Sequence, residues 1–530
     1  MTWAPSSATV GLRDLVDLLR SEWTKFRTVR GWLIGLLLAA MLCVLFTFLV
    51  ADGGHEGGCS GPPTPGAGPN SPGSGCYTGH PFVPTGPDGE AVADTYQFVG
   101  KKMTGNDMIT ARVTSLTGLT STNPGNVAPS LSATRPGLAG WAKAGIMVTS
   151  STVQGSPYAA VMATGGHGVR FQYDYSHDRP GRPGAVSASS PRWLRLTRVD
   201  DTLTGYDSID GANWTKIATT SVGGLPAAVN VGLFATSPLS FQASGGGAPT
   251  RATARFDKVM IAGRSVRGAW RAHTVGTGAR DFYPSLGAGT SRRSGNSFLL
   301  AGSGDVAPAV NPIAGGDSAA ETLLFGLIVS LIVVIVVATM FITVEYRRGL
   351  IRTTFAATPR RGRVLAAKVI VAGGVAFATG AAAAAVAIPF GEHILEANGN
   401  YVFPADALTV ASVIAGVGAL VALTAVAAVA LGTIARRSAG AVTAGIILFV
   451  LPYIIGSFAS ASTQEWLFRL TPAAGFSVLG VLPRSALVES TYTMTNGYYP
   501  LSPWAGLAVL CVYAAIAVGL ANLVLKRRDA

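Results

Sequence analysis

The stretch that decides the fold is residues 340–368, MFITVEYRRGLIRTTFAATPRRGRVLAAK. It lies between two long apolar runs, and its six arginines stand at positions 347, 348, 352, 360, 361 and 363. Arginine this dense beside an apolar run is typical of the cytoplasmic side of a membrane. Within the loop, residues 351–357 predict a short helix that ends at Thr358, because proline disfavours helix at the residue before it.

The composition is that of an integral membrane protein. The chain has 530 residues, of which 49% are hydrophobic and only 13% are charged, whereas about a quarter of the residues in a soluble domain are charged. The formal net charge is +13. Because much of this excess lies at the ends of apolar runs, it indicates membrane topology and contact with anionic lipid headgroups rather than nucleic acid binding.

Six apolar runs are long enough to cross a hydrocarbon core of about 30 Å. They occupy residues 31–51, 323–344, 364–390, 407–434, 439–459 and 504–525. Their interiors hold no charge, and Lys368 is close enough to the inner end of its run that we expect its ammonium to reach the interface. Lys and Arg are concentrated at one end of each apolar run, and this end alternates from one run to the next. This predicts a multi-pass plasma-membrane protein with both termini and loop 345–363 in the cytoplasm, and with residues 52–319 outside.

Residues 1–30 contain an amphipathic segment. From residue 11 to residue 28, apolar positions such as Leu19, Trp23 and Phe26 recur at helical spacing, and charged residues such as Asp17 and Glu22 fill most of the others. We expect a helix that lies in the cytoplasmic interface. The same helix would also suit the docking of a partner.

The long insertion between the first two runs divides into three parts. Residues 52–88 form a Gly/Pro/Ser-rich linker, in which Cys59 and Cys76 are candidates for a disulfide in an oxidising compartment. Residues 89–263 alternate in the manner of short strands, and residues 264–319 lead back to the second run, with some strand character around 297–301. The predicted strands are 109–113, 144–150, 158–164, 169–174, 192–199, 202–208, 215–221, 230–236 and 253–262. Many short strands at this spacing predict a sandwich or jelly roll.

Several motifs of residues 89–263 resemble a concanavalin-A-like, laminin-G-like lectin fold. They are WLRLTR at 193–198, YDS at 206–208, DGANW at 210–214, VGL at 231–233 and ARFDKV at 254–259. Because many such domains bind glycans, Tyr173, Tyr175 and Tyr206 are candidates for stacking on a sugar ring. For Trp193 and Trp214 we expect core packing.

Two acids of the same region allow more than one interpretation. Asp207 and Asp210 could indicate calcium binding or acid catalysis, but their spacing better fits a hairpin turn at Asp210-Gly211. Retaining sugar hydrolysis needs two carboxylates about 5 Å apart, and no paired-glutamate strand motif is present. We therefore do not expect a glycosidase.

The arginine loop resembles the first cytoplasmic loop of type-two ATP-binding-cassette (ABC) exporter permeases, particularly those of high-GC Gram-positive bacteria. The matching motifs are EYRRG at 345–349, IRTT at 351–354 and ATPRR at 357–361. SEWTK at 21–25 resembles the entry of that family's elbow helix, and EWLFRLTPAA at 465–474 resembles its stretch between the last two spans. The resemblance covers residues 11–51 and 320–530, and the large insertion departs from the family's short loop.

The resemblance implies that the arginine loop couples a homodimer or heterodimer of permeases to separate cytosolic ATPase subunits. The coupling residues it implies are Glu345, Arg347, Arg348, Ile351, Arg352, Thr358, Pro359, Arg360 and Arg361. The alternative is a basic loop that only sets membrane orientation by the positive-inside rule.

Motifs for chemistry within the chain are absent from the sequence. It contains no G-x-x-x-x-G-K-[ST], G-x-S-x-G, H-E-x-x-H or C-x-x-C. We therefore assign no catalytic residue, metal or cofactor, and expect any energy for transport to come from another chain. The second hypothesis is a cell-envelope adhesion or sensing protein, in which the lectin-like domain binds a glycan or protein.

Overall fold

The chain forms two compact units in the computed structural model. The helical unit comprises Met1–Glu56, Asp317–Leu482 and Gly497–Ala530, and the β unit comprises Gly57–Gly316 and Pro483–Asn496. The structure describes residues 7–53, 84–122, 131–241, 247–262, 266–276, 285–309, 316–317, 319–357, 360–398, 401–482, 484–491 and 497–527. Cys59 and Cys76 lie outside these residues, as do Thr358 and Pro359.

The helical unit is built from ten α-helices and one 3-10 helix in its described part. The α-helices are α1 (Ser7–Thr28), α2 (Arg30–Gly53), α3 (Ala319–Arg347), α4 (Leu350–Ala357), α5 (Arg361–Ala397), α6 (Ala407–Ala435), α7 (Ser438–Phe449), α8 (Leu451–Phe458), α9 (Ala461–Leu470) and α10 (Pro503–Arg527), and the 3-10 helix is Pro472–Leu479. Six helical stretches are long and apolar enough to cross a membrane: α2, α3, α5, α6, α7 with α8, and α10. The prediction of six such stretches is confirmed.

Small residues bring α5 and α6 close together. A Cβ atom added at Gly380 would lie 2.8 Å from Val421 Cγ2, and one added at Gly373 would lie 2.9 Å from Val426 Cγ2. Helices in lipid associate through such small-residue contacts. Their role is therefore packing, as the Ala/Gly-rich composition of these two helices indicates.

The fifth apolar stretch is interrupted where the sequence has proline. The helix breaks between α7 and α8 at Val450, and Pro452 is in the first turn of α8. Proline has no N–H to bond to the preceding turn, and its ring crowds that turn. The proline therefore accounts for the break.

The β unit contains most of the strands. They are β1 (Val92–Asp94), β2 (Tyr96–Thr104), β3 (Asp107–Ser121), β4 (Thr134–Pro136), β5 (Lys143–Thr149), β6 (Tyr158–Thr164), β7 (Val169–Tyr173), β8 (His177–Pro180), β9 (Arg192–Val199), β10 (Thr202–Ser208), β11 (Thr215–Ser221), β12 (Ala228–Thr236), β13 (Ser240–Phe241), β14 (Gly247–Ala248), β15 (Thr250–Ala262), β16 (Val266–Val275), β17 (Thr290–Ser294), β18 (Ser297–Gly302) and β19 (Val306–Pro308). The two-residue strands β20 (Gly316–Asp317) and β21 (Tyr401–Val402) follow later in the chain.

Two antiparallel sheets enclose one apolar core. One sheet has the order β11-β10-β9-β3-β15-β18-β17, with β4 paired to β3, and the other has the order β16-β2-β12-β5-β6-β7-β8. Side chains of both sheets meet in a single buried cluster that includes Ile109 and Leu196 from the first sheet and Val161 and Leu233 from the second. The β unit is therefore sandwich-like, and the expectation of an all-β insertion is confirmed at this level.

The central strands β5 and β6 of the second sheet are buried on both faces. Ile146 and Val148 of β5 belong to the sandwich core, whereas Met147 between them points to the opposite face and joins a second apolar cluster with Phe98 and Phe234. Successive side chains of a strand alternate between faces, so a strand without polar alternation has apolar material on both sides.

The first and last strands of the β unit pair with each other. Val92 of β1 faces Pro308 of β19, and the N–H of Ala309 donates to the carbonyl of Ala91 at 2.8 Å. Strands β1 to β19 therefore begin and end at one place.

Four predicted strands, 158–164, 192–199, 202–208 and 215–221, match the observed bounds to the residue. Two long strands, β2 and β16, were missed. Their sequences, YQFVGKKMT and VRGAWRAHTV, combine glycine with clustered or irregular charge, which hides the apolar alternation that marks a strand.

Candidate functional site

The arginine loop folds as the sequence predicts where it is described. Gly349, with φ +71°, turns the chain after α3, and α4 follows as a short helix. Ile351 is buried at 3% exposure, whereas the side chains of Arg347, Arg348 and Arg352 are exposed. One apolar residue thus anchors α4, and the arginines remain accessible.

Two of the later arginines lie at the start of α5. Arg360 is exposed and precedes the helix. Arg361 donates from Nη1 to the carbonyl of Leu525 at 3.0 Å, and its guanidinium lies 5.4 Å from the ring centroid of Phe355. Arg361 therefore links α4, α5 and the end of α10.

The side chain of Lys368 does not reach the surface of the helical unit, contrary to the expectation from the sequence. Its side chain is fully buried, and Nζ lies 2.6 Å from Oε2 of Glu22 and 2.8 Å from Oε1 of Glu345. Two carboxylates surround the ammonium, and a buried charge that is paired and hydrogen-bonded needs no path to water. Glu345 forms its ion pairs with Lys25 and Lys368 rather than with an arginine of the loop.

A second lysine completes this group of charges. Lys25 Nζ lies 2.7 Å from Oε1 of Glu22 and 3.5 Å from Oε1 of Glu345. Burial lowers the pKa of Lys25, but its hydrogen bond to Glu22 and the charges of both carboxylates outweigh that effect and raise it overall. We call Glu22, Lys25, Glu345 and Lys368 the buried charge network. Its two carboxylates and two ammonium groups balance.

Aromatic rings enclose the buried charge network. Lys368 Nζ lies 4.8 Å from the ring centroid of Phe341, which is in turn 5.4 Å from the ring of Phe26 and 6.2 Å from that of Trp32. The network and its rings therefore join α1, α2, α3 and α5 at the base of the arginine loop. Sequence reasoning missed this cluster, since Glu22 reads locally as a polar position of an amphipathic helix.

A cavity of about 450 Å³ lies beside α4. Its walls come from the end of α3, from α4 and from the junction of α6 and α7, and they include Arg347, Ile351, Arg352, Arg436 and Arg437. Three predicted coupling residues thus share a wall with two arginines about 85 positions later. The only sequence signal for the later pair was its place at the end of an apolar run.

The three candidate sugar-stacking tyrosines have different environments. Tyr175 is buried at 1% exposure, its hydroxyl donates to Oδ2 of Asp94 at 2.7 Å, and its ring packs against Tyr158. It cannot stack on a sugar, and that assignment is wrong. Tyr173 is half-buried and stacked on His177, with ring centroids 4.5 Å apart.

Tyr206 lies on the outer face of the first sheet, together with two tryptophans that we expected in the core. Leu194 and Leu196 point into the sandwich, so Trp193 points outward, where the Arg112 guanidinium lies 5.5 Å from its ring. The Arg195 guanidinium lies 3.8 Å from the ring of Trp214. The core assignment of the tryptophans is therefore wrong.

Of the two acids near Tyr206, Asp210 stabilises the turn and Asp207 binds a residue outside it. Hydrogen bonds from the backbone of Asn213, its side chain, the backbone of Ala212 and Ser208 hold the pKa of Asp210 below its usual range. Gly211 has φ +76°, which confirms the predicted hairpin. Asp207 is buried and accepts from the backbone N–H of Arg182 at 3.0 Å. Across the described part of the chain, no group of three His, Cys, Asp or Glu residues is placed to hold a metal.

Comparisons with known proteins identify no family for this chain. No protein-family model matches the chain, and no curated protein matches it. A functionally unknown protein from Saccharomyces cerevisiae is 18% identical, with a TM-score of 0.22 over 35% of this chain and 85% of its own. Scytalido-glutamic peptidase is 10% identical, with a TM-score of 0.24 over 39% of this chain and 98% of its own. Likenesses this weak carry no functional argument.

Proposed function

We propose that this chain is the permease subunit of an ATP-driven exporter of the type-two ABC class. In this proposal the six apolar helices span the plasma membrane, both termini and α4 face the cytosol, and the β unit is a jelly-roll domain outside. The strongest support is the buried charge network, which ties the base of the α4 loop to α1 and α5.

The network offers a mechanical link. Glu345 stands two residues before the end of α3, next to the turn into α4, and it shares Lys368 with Glu22 of α1. Removing one partner of a buried ion pair typically costs about 3–5 kcal/mol. A push on α4 would therefore move α1 and the start of α5 together rather than separate them.

The exposed arginines supply a surface for the ATPase. Arg347, Arg348 and Arg352 project from the α3–α4 region. A guanidinium presents a planar fork of donors that matches a carboxylate, which an ammonium does not. Since the chain has no P-loop motif, ATP hydrolysis would belong to a separate cytosolic subunit, and two permease chains would form the transport path.

The test is to co-express the chain with a candidate cytosolic ABC ATPase subunit from the same genome and to measure co-purification and transport-linked ATP hydrolysis. We expect Arg348→Lys and Arg352→Lys to insert normally and to lose most of the stimulated hydrolysis. Arg527→Lys, an exposed arginine at the end of α10, is the matched control. Stimulation by both loop variants equal to that of the control would leave the loop as an orientation signal only.

A second candidate function is glycan binding by the β unit in an adhesion or sensing protein. Its support is the half-exposed aromatic surface of Tyr206, Trp193 and Trp214 on the outer face of the first sheet. Aromatic rings on such a face can stack on sugars. Binding of cell-wall polysaccharide by full-length protein in nanodiscs, lost in Tyr206→Ala and Trp214→Ala, would favour this candidate if no ATPase co-purifies.

A further inference from the structure

The cavity beside α4 is lined by both cationic and apolar side chains. Arg347, Arg352, Arg436 and Arg437 contribute four cations, and no acid is among the described residues that line the cavity. Val344 and Met340, one and two turns before the end of α3, also line it. A ligand that satisfies both kinds of side chain must be anionic at one end and apolar at the other.

Arg436 is held in a costly backbone conformation. Its φ of +56° is left-handed, a conformation in which the Cβ atom crowds the following carbonyl oxygen. Such outliers cluster at ligand clamps and switch regions. This conformation carries the chain from α6 into α7 and places the Arg436 guanidinium 5.4 Å from the ring of Tyr346.

Tyr346 adds an independent observation. Its side chain lines the cavity, and its hydroxyl is buried with no hydrogen-bond partner among the described residues. A buried hydroxyl without a partner costs free energy. An anionic oxygen in the cavity would give it an acceptor.

We propose that this cavity binds the phosphate headgroup of an anionic phospholipid, with the acyl chains leaving along the apolar wall of α3. Ligand pockets of about 300–1,000 Å³ are usual for small molecules, so a cavity of about 450 Å³ accommodates a phosphoglycerol headgroup. Basic pockets between spans on the cytoplasmic side suit such headgroups. The inference rests on the membrane location proposed above but not on coupling to an ATPase.

The apolar lining residues distinguish a lipid from free phosphate. Inorganic phosphate would use only the arginines and would leave Met340 and Val344 without an apolar partner. A positive-inside signal would need the four charges alone, with neither a cavity nor a left-handed junction. Because Ile351 lines the same cavity, the bound headgroup would also set the position of α4 against α6 and α7.

The experiment is native mass spectrometry of the full-length protein from nanodiscs that contain equal amounts of phosphatidylglycerol and phosphatidylcholine. We expect preferential retention of phosphatidylglycerol. Each basic residue near an anionic surface contributes a factor of about five, so Arg436→Gln with Arg437→Gln should lower retention by about 25-fold. Arg348→Gln with Arg527→Gln, an equal charge change away from the cavity walls, is the matched control.

A second, smaller change separates loss of lipid binding from misfolding of the protein. Tyr346→Phe removes only a hydroxyl and should lower phosphatidylglycerol retention by about fivefold. Equal retention of both lipids, equal loss in the control, or displacement of phosphatidylglycerol by millimolar inorganic phosphate would each overturn the proposal. ATPase co-purification measured on the same samples separates the two ideas, since its loss with normal lipid retention would count against the transporter alone.

Discussion

Lys368 Nζ lies 2.6 Å from Oε2 of Glu22, a residue 346 positions earlier in the chain. Both side chains are completely buried. Lys368→Met should therefore leave two carboxylates in an apolar setting with only the half-exposed Lys25 to balance them. We expect a loss of about 3–5 kcal/mol in stability, measured as thermal unfolding of the detergent-purified protein.

The matched comparison is a variant that removes the charges together. Lys368→Met with Glu22→Gln and Glu345→Gln leaves a single ammonium, Lys25, that is partly open to solvent. It should recover most of the lost stability, because a buried pair can be replaced by neutral residues at little cost. Lys526→Met, at an exposed site, should be neutral. A triple variant no better than Lys368→Met would show that the network is not the source of the loss.

Two glycines of α10 test how tightly this helix packs. A Cβ atom at Gly506 would lie 2.0 Å from Ser477 Oγ and 2.1 Å from the carbonyl oxygen of Ala474, whereas nothing lies within 4 Å of one at Gly519. Gly506→Ala should displace α10 from the 3-10 helix and cost about 1–3 kcal/mol. Gly519→Ala should be neutral or stabilising by about 0.5–1 kcal/mol. Equal melting temperatures for the two variants in detergent would contradict this packing.

Asp174 makes the β unit sensitive to pH. Burial raises the pKa of Asp174 from 3.8 to about 6, against a lowering effect of its hydrogen bond from the backbone of Tyr158. A raised pKa means that the folded state holds the proton more tightly, so stability is highest at low pH and falls as pH rises from about 4 to about 6. Above that range the buried, ionised carboxylate lowers the free energy of unfolding of the β unit.

Asp174→Asn should remove this destabilisation, because asparagine carries no charge. Asparagine keeps the acceptor for the Tyr158 N–H and tolerates the left-handed φ of +43°. Allowing for solvent screening, we expect a gain of about 1 kcal/mol at pH 7.5 and a much smaller one near pH 4. Hydrogen exchange of β6 and β7 in the full-length protein measures it. A gain of the same size at both pH values would rule out titration of Asp174 as its cause.

Topology can be read with single cysteines. In a chain with Cys59 and Cys76 changed to serine, we expect a membrane-impermeant maleimide to label cysteines at 201 and 396 in intact cells, but not one at 353. Permeabilised cells should label all three, which shows that each site is open. The native Cys43 and Cys511, both free thiols within apolar helices, should remain unlabelled throughout. Labelling at 353 in intact cells would invert the proposed orientation.

The local features of this fold are readable from the sequence. The six apolar runs, the short helix α4, the break at Pro452 and the turn at Gly211 each follow from a few neighbouring residues. Trp193 also carried a local signal, since in Trp-Leu-Arg-Leu the leucines claim the buried face of β9 and leave the tryptophan outside. Its large apolar side chain favoured a core assignment against that alternation.

The long-range features could not be read this way. The residues next to Glu22 and Lys368 in the sequence carry no signal that α1 and α5 bring these two side chains together. Arg436 lines the cavity only because α6 packs against α3. Tyr175 was misjudged for a backbone reason. Strand β7 ends at Tyr173, and the left-handed conformations of Asp174 and Tyr175 turn the next ring inward instead of continuing the alternation.

Because β1 pairs with β19, the segment between them can be deleted or replaced without separating the chain on either side. Because Ala91 and Ala309 are joined by a backbone hydrogen bond, a deletion that links them would need to bridge only the gap between two neighbouring strands. Gain or loss of residues 92–308 would then leave the two joined chain ends only a strand's width apart. The same adjacency lets a different folded domain be grafted at this point, provided that its own ends lie a strand's width apart.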